Sequence, residues 1–153
     1  IFAAIGGGGL ISGGYLAKEL LSPKSKIFAC EPLIANDAAQ SLRAGKIVSF
    51  TEAPNTLADG ARTLHIGNKI FPYLPKLDGI IEIDEKEIMY WTQWLTHLLK
   101  LTIEPTSVLG MAGADRWLKT QDSKQRVLII LSGGNISPET YKTIWQDNLI
   151  TSK

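Results

Sequence analysis

Four consecutive glycines, Gly6 to Gly9, follow the apolar run Ile1-Phe2-Ala3-Ala4-Ile5 and lead into Leu10-Ile11-Ser12. This order reads as a strand, a tight turn and a helix N-terminus. Such a turn aims several backbone N–H groups and the positive end of a helix dipole at one point. Glycine lets the main chain approach a ligand with no Cβ in the way. The ligand chemistry favoured is a phosphate. A second polar glycine turn, Ser132-Gly133-Gly134-Asn135, follows the apolar run Val127-Leu128-Ile129-Ile130-Leu131. In open α/β sheets, ligands gather at the C-terminal ends of strands, where this turn would lie. Between the two turns, Thr102-Ile103-Glu104-Pro105-Thr106 sets a carboxylate in a rigid, largely apolar turn. Spacing also allows another ligand. Gly7-x-Gly9-x-x-x-Gly13 is a loose dinucleotide fingerprint, with Glu31 placed to hold a ribose.

The elements that position these residues alternate between strand-like and helix-like patterns. That predicts an α/β fold with a mostly parallel sheet flanked by helices. Residues 10–21 form a helix closed by Ser22-Pro23. Ile27-Phe28-Ala29-Cys30 is a buried strand ending at Glu31-Pro32, with Cys30 read as core. A short helix over about residues 35–43 stops at Gly45, and an irregular stretch runs through Asn55 and Asp59-Gly60. Ile80-Ile81-Glu82-Ile83 is a strand, after which Asp84 and Glu87 have capping-box spacing. Ile88, Trp91, Leu95 and Leu98 share one face of the following helix, and Trp91 and Trp94 read as core. Residues 127–131 form a third strong strand, and Ser137-Pro138 opens a last helix.

Composition narrows the function classes. The chain has 153 residues, 44% hydrophobic and 20% charged, an ordinary globular mix for one domain. A net charge of +1 gives no electrostatic case for nucleic acid or an anionic membrane. A single cysteine excludes an intrachain disulfide and fits a reducing compartment, so a cytoplasmic protein is expected. No apolar stretch reaches the length of a membrane span, and no basic leader pattern is visible. Ile1 lies inside a strand that wants neighbours from earlier sequence. The expectation is the C-terminal part of a longer protein.

Five blocks stand in order: Gly6-Gly7-Gly8-Gly9-Leu10-Ile11-Ser12-Gly13, Glu31-Pro32, Ala58-Asp59-Gly60, Ile103-Glu104-Pro105-Thr106 and Ser132-Gly133-Gly134-Asn135. Over roughly residues 1–137 the chain resembles the second half of the threonine/serine dehydratase and serine racemase family. These are pyridoxal-phosphate enzymes of fold-type II, with a tryptophan-synthase-β-like fold. The resemblance implies that Gly6, Gly7, Gly8 and Gly9, with the amide of Leu10, hold the cofactor phosphate. It implies that Ser132 bonds the pyridine nitrogen. A hydroxyl is a poor acid, so that nitrogen would stay largely unprotonated, favouring loss of a β-substituent over transamination. Glu31, Ala35 and Asp37 match a divalent-cation site, two carboxylates and a backbone carbonyl suited to Mg²⁺ or Ca²⁺. Asn36 departs from the acidic residue common there, and the plain alternative is an acidic helix start. Asp59 and Glu104 are cleft positions in the family.

The resemblance also marks what is missing. The Schiff-base lysine belongs to an upstream serine-x-lysine-x-arginine-glycine motif. Ser22-Pro23-Lys24-Ser25 echoes it only superficially, since no arginine-glycine follows. No catalytic residue is therefore assigned in this chain. Residues 1–153 are expected to be the C-terminal portion of the pyridoxal-phosphate-binding catalytic domain. The implied parent is a homo-oligomeric serine/threonine ammonia-lyase that converts an amino-acid substrate to a 2-oxo acid and ammonia. An amino-acid racemase and a non-catalytic phosphate- or nucleotide-binding module are the alternatives.

Overall fold

The computed structural model describes residues 1–150. Three strands, β1 (Phe2–Ala4), β2 (Phe28–Pro32) and β3 (Gly79–Ile83), lie parallel in chain order. Phe2 is level with Phe28, and Phe28 with Gly79. Side chains alternate between the two faces of such a sheet. Phe2, Ala4, Phe28 and Cys30 enter one apolar cluster, while Ala3, Ile5 and Ala29 enter another. Both faces are covered, which is why these strands read as continuous apolar runs.

The described residues form α1 (Gly9–Leu21), α2 (Asp37–Ala44), α3 (Glu85–Leu99) and α4 (Pro105–Leu118) around the sheet, with α5 (Pro138–Ile144) packed on α3. The first cluster includes Ile88 and Leu95 of α3 with Val108, Leu109 and Ala112 of α4. The second includes Ile11 of α1 and Ala38 of α2. The acidic helix start falls at Asp37, after a short 3₁₀ turn over Leu33–Ala35, and α2 ends on Gly45 at φ 65°. At α3, Asp84 accepts from the Glu87 N–H at 3.0 Å, as the capping pattern predicts. The Glu87 carboxylate is taken by Arg116, whose Nε lies 3.0 Å from Oε1. Ser137 caps α5 by accepting from the Thr140 N–H at 3.1 Å.

Two expectations need correction. The strong strand at 127–131 is an extended segment with a single bridge, Ile129 to Phe2. Phe2 N–H donates to Leu128 O at 2.8 Å and Ile130 N–H to Phe2 O at 3.0 Å. β1 has only three residues before it turns away, so the ladder has nothing further to pair with. The other correction is α4, for which the sequence reading offered only a turn at Pro105. Its run from Pro105 to Gly110 is buried throughout, as are Ala112, Gly113 and Ala114. A helix buried all round carries no amphipathic stripe to announce it.

Helix α3 ends on Lys100 at φ 58°, the one non-glycine residue with positive φ among the described residues. That region costs a non-glycine residue about 1–2 kcal/mol, and glycine relieves it at an unfolded-chain entropy cost of about 0.4–1 kcal/mol. Lys100→Gly is expected to gain about 0.5–1 kcal/mol, measured by urea unfolding. Earlier in α3, the buried Gln93 ties down the segment after α5. Its Nε2 donates to the carbonyls of Ile144 and Asp147, each at 2.6 Å, and its Oε1 accepts from Leu149 N–H at 2.8 Å. Among the described residues, no helix is long and apolar enough to cross a membrane.

Candidate functional site

The glycine turn leaves β1 at the C-terminal edge of the sheet and enters α1. Gly8 is the residue before the helix, at φ 90°. A Cβ there would run into Ile70, and one on Gly6 would lie 2.5 Å from the Gly60 carbonyl oxygen. A Cβ on Gly7 or Gly9 would meet no protein atom within 4 Å. The turn is thus packed hard on one side and open on the other. The N–H groups of Gly6 to Leu10 meet no protein acceptor among the described residues. Free amides, open space and a helix N-terminus together suit an oxyanion.

The second turn opens beside the first. Thr106 and Ser107, adjacent at the start of α4, contact Gly60 beside Gly6 and Gly133 respectively. Ser132 is solvent-exposed. The first turn of α4 holds the turn that follows it. Ser107 Oγ accepts from Gly133 N–H at 2.7 Å and donates to Gly133 O at 2.8 Å. Glu104 N–H also donates to Gly133 O, at 3.2 Å, and Glu104 Oε2 accepts from Asn135 N–H at 3.1 Å. A Cβ on Gly133 would lie 2.6 Å from Glu104 Oε2, so the loop and the Glu104 carboxylate are in direct contact.

Thr106 faces the other wall. Its Oγ1 accepts from Gly60 N–H at 2.9 Å, and Asp59 Oδ1 accepts from the same N–H at 2.9 Å. Asp59 therefore fixes the loop that backs Gly6. Thr106 and Ser107 were not singled out by sequence reasoning. Their only signal was two hydroxyl residues straight after Glu104-Pro105.

Glu31 and Asp37 lie deeper, at 1% and 2% exposure. Glu31 ends β2 and accepts from the N–H groups of Ala38 at 3.2 Å and Ala39 at 2.8 Å, in the first turn of α2. Burial pushes its carboxyl up to about 8. Burial likewise raises Asp37 to about 6, and its Oδ2 meets no hydrogen-bond partner. Ala35 is buried between them in sequence, just ahead of α2. A ribose role for Glu31 is overturned, because a carboxylate at 1% exposure beneath the first turn of α2 cannot reach a nucleotide in the cleft. No three His, Cys, Asp or Glu side chains gather as a metal cluster among the described residues.

The remaining candidates fall outside the cleft. Cys30 is wholly buried, and burial pushes its thiol well above the ordinary range, which makes it inert as a nucleophile. Lys24 lies at the opposite edge of the sheet, lining a cavity of about 660 Å³ with Ile1, Phe2 and Trp117. It is remote from both glycine turns, so it cannot serve as their covalent anchor.

The family model described as "Pyridoxal-phosphate dependent enzyme" matches residues 1–133. The chain belongs to the pyridoxal-phosphate dependent enzymes. An L-threo-3-hydroxyaspartate ammonia-lyase of Saccharomyces cerevisiae is 42% identical over 146 residues, which cover 94% of this chain and 44% of the relative. A serine racemase of Schizosaccharomyces pombe is 38% identical, covering 92% of this chain and 43% of the relative. Among solved structures, a T.th. threonine deaminase superposes with a TM-score of 0.81 at 37% identity, over 88% of this chain and 45% of that one. Maize serine racemase gives a TM-score of 0.82 at 34% identity, over 94% and 45%. This pyridoxal-phosphate dependent enzyme chain thus has the fold-type II architecture and spans under half the length of those relatives.

Proposed function

We propose that this chain supplies the phosphate cup and the ring-nitrogen contact of a pyridoxal-phosphate-dependent ammonia-lyase acting on a small β-hydroxy amino acid such as serine or threonine. The observation that carries this reading is the row of unpartnered amides from Gly6 to Leu10, open at Gly7 and Gly9. The 3-hydroxyaspartate relative belongs to the same substrate class, a hydroxyl β to the amino-acid carboxylate.

When bound, pyridoxal phosphate supplies an electron sink for the substrate's α-carbon. The residues of this chain do three things around it. The amides of Gly6, Gly7, Gly8, Gly9 and Leu10 hold the phosphate with the help of the α1 dipole. Ser132 offers a hydroxyl, not a carboxylate, to the ring nitrogen, and so leaves that atom without a proton. The Gly133-Gly134 backbone keeps the wall beside it free of side chains. The lysine that binds the cofactor covalently would lie in a preceding segment of a longer protein, of which residues 1–153 form the C-terminal portion of the catalytic domain. That protein would be a cytoplasmic homo-oligomer.

The experiment is product analysis with the full-length protein, its cofactor, and serine, threonine or 3-hydroxyaspartate. A 2-oxo acid and ammonia in excess over D-amino acid are expected. Chiefly D-serine would establish the second reading, a racemase, which the 38% identical relative favours. The chain by itself is expected to show no turnover, and borohydride reduction with pyridoxal phosphate should label no single lysine. Stoichiometric labelling of one lysine with turnover would refute the assignment of that lysine to another segment.

Glu31, Asp37 and the Ala35 carbonyl also suit a divalent cation. The unpartnered Asp37 Oδ2 is a buried hard donor in want of a positive partner. Each Glu31 oxygen keeps a second lone pair after taking its amide. Mg²⁺ or Ca²⁺ bound there would relieve two buried carboxylates at once. Titration calorimetry should show one site in the wild type and none in Asp37→Ala. Equal binding by both places the ion elsewhere.

A further inference from the structure

We propose that Ser107 is a positioning residue, whose hydroxyl locks the Ser132–Gly133 turn onto α4 and so aims Ser132 at the ring nitrogen. The assignment rests on the pyridoxal-phosphate reading above. Ser107 is 0% exposed, and a buried hydroxyl needs its donor and acceptor capacity satisfied. A serine in a helix's first turn ordinarily serves its own backbone. Ser107 reaches instead across 26 residues of sequence and spends both roles on one residue, Gly133.

Those two bonds have a specific consequence. The Gly133 N–H belongs to the peptide plane that follows Ser132, and the Gly133 C=O to the plane after it. Holding both fixes the peptide planes on the C-terminal side of Ser132. Ser132 Oγ lies 3.4 Å from Ser107 Oγ, so the two hydroxyls are neighbours. Gly133 is the most permissive residue type and would otherwise wander. Glu104 N–H supports the same carbonyl at 3.2 Å, but only Ser107 holds the N–H.

Thr106, the preceding residue, holds Gly60 and hence the loop behind Gly6. Successive side chains at the start of α4 therefore grip the two walls separately. Loss of Ser107 should disturb the ring contact and spare the phosphate turn. A residue that merely supports the fold would weaken both together.

The test uses this chain, isotope-labelled, with two probes: inorganic phosphate, and pyridoxine 5′-phosphate, which carries ring and phosphate but no aldehyde. In Ser107→Ala, amide exchange at Gly133 should quicken at least tenfold, with exchange at Gly67 unchanged. Affinity for pyridoxine phosphate should fall about tenfold while affinity for inorganic phosphate holds. Ser107→Thr, which keeps the hydroxyl, should restore slow exchange at Gly133. Unchanged exchange in Ser107→Ala overturns the clamp. Equal loss for both probes overturns the positioning role in favour of a structural one. A wild type that binds neither probe overturns the cofactor reading and the role given to Ser107 within it, while the exchange data still decide the clamp.

Discussion

Alanine at Gly7 or Gly9 is expected to remove phosphate binding and leave the fold intact, whereas alanine at Gly8 should cost the chain part of its stability. The four glycines are alike in sequence and unlike in surroundings. Around Gly7 and Gly9 an added Cβ finds open space within 4 Å. An oxyanion on the neighbouring amides is expected to draw on that open space. A methyl group there excludes the anion without touching the protein. Gly8 is different, because its φ of 90° and its contact with Ile70 both forbid a side chain. The left-handed region costs about 1–2 kcal/mol and forced overpacking about 1–3 kcal/mol, so Gly8→Ala should lose roughly 2–5 kcal/mol.

Binding should respond more strongly than stability. Hydrogen bonds to a charged group contribute about 1.5–3 kcal/mol each, so an excluded phosphate should lose affinity by at least roughly tenfold. Amide-shift titration with inorganic phosphate, run beside thermal unfolding, separates the two effects. Wild-type affinity in both Gly7→Ala and Gly9→Ala would place the anion elsewhere and remove the main support for the proposed function.

This contrast shows what the sequence could carry. The existence of the turn was legible, because four glycines between an apolar run and a helical pattern have few other uses. The separate duties of the four were not, since Ile70 and Gly60 lie far away in sequence and only the fold brings them to the turn. The strands β1 and β2 were legible from unbroken apolar runs. The same signal over-read residues 127–131, where ladder length is set by the partner strand. Glu31 stood out at a strand end with both ribose and metal readings open, and its burial overturned the first. Thr106 and Ser107 stayed hidden with α4, and their partners lie 46 and 26 residues away.

The position of α4 depends on a second close approach, and this carries the other large expected effect. A Cβ on Gly113 would overlap Cys30 Sγ in the centre of the sheet. The cysteine cannot swing aside, because it is wholly buried between β1 and β3. Gly113→Ala should therefore push α4 off the sheet and destabilise the chain by about 1–3 kcal/mol. Removing the sulfur makes room, so Cys30→Ala combined with Gly113→Ala should be more stable than Gly113→Ala alone. A double-mutant cycle in urea reads this as a coupling of about 0.5–3 kcal/mol. Additive losses would mean that the helix yields without resistance. The same displacement moves the first turn of α4, which carries Thr106 and Ser107. Gly113→Ala should consequently quicken amide exchange at Gly60 and Gly133 together, although it touches neither. Close packing midway along a rigid helix would then set the spacing of the two turns at its start.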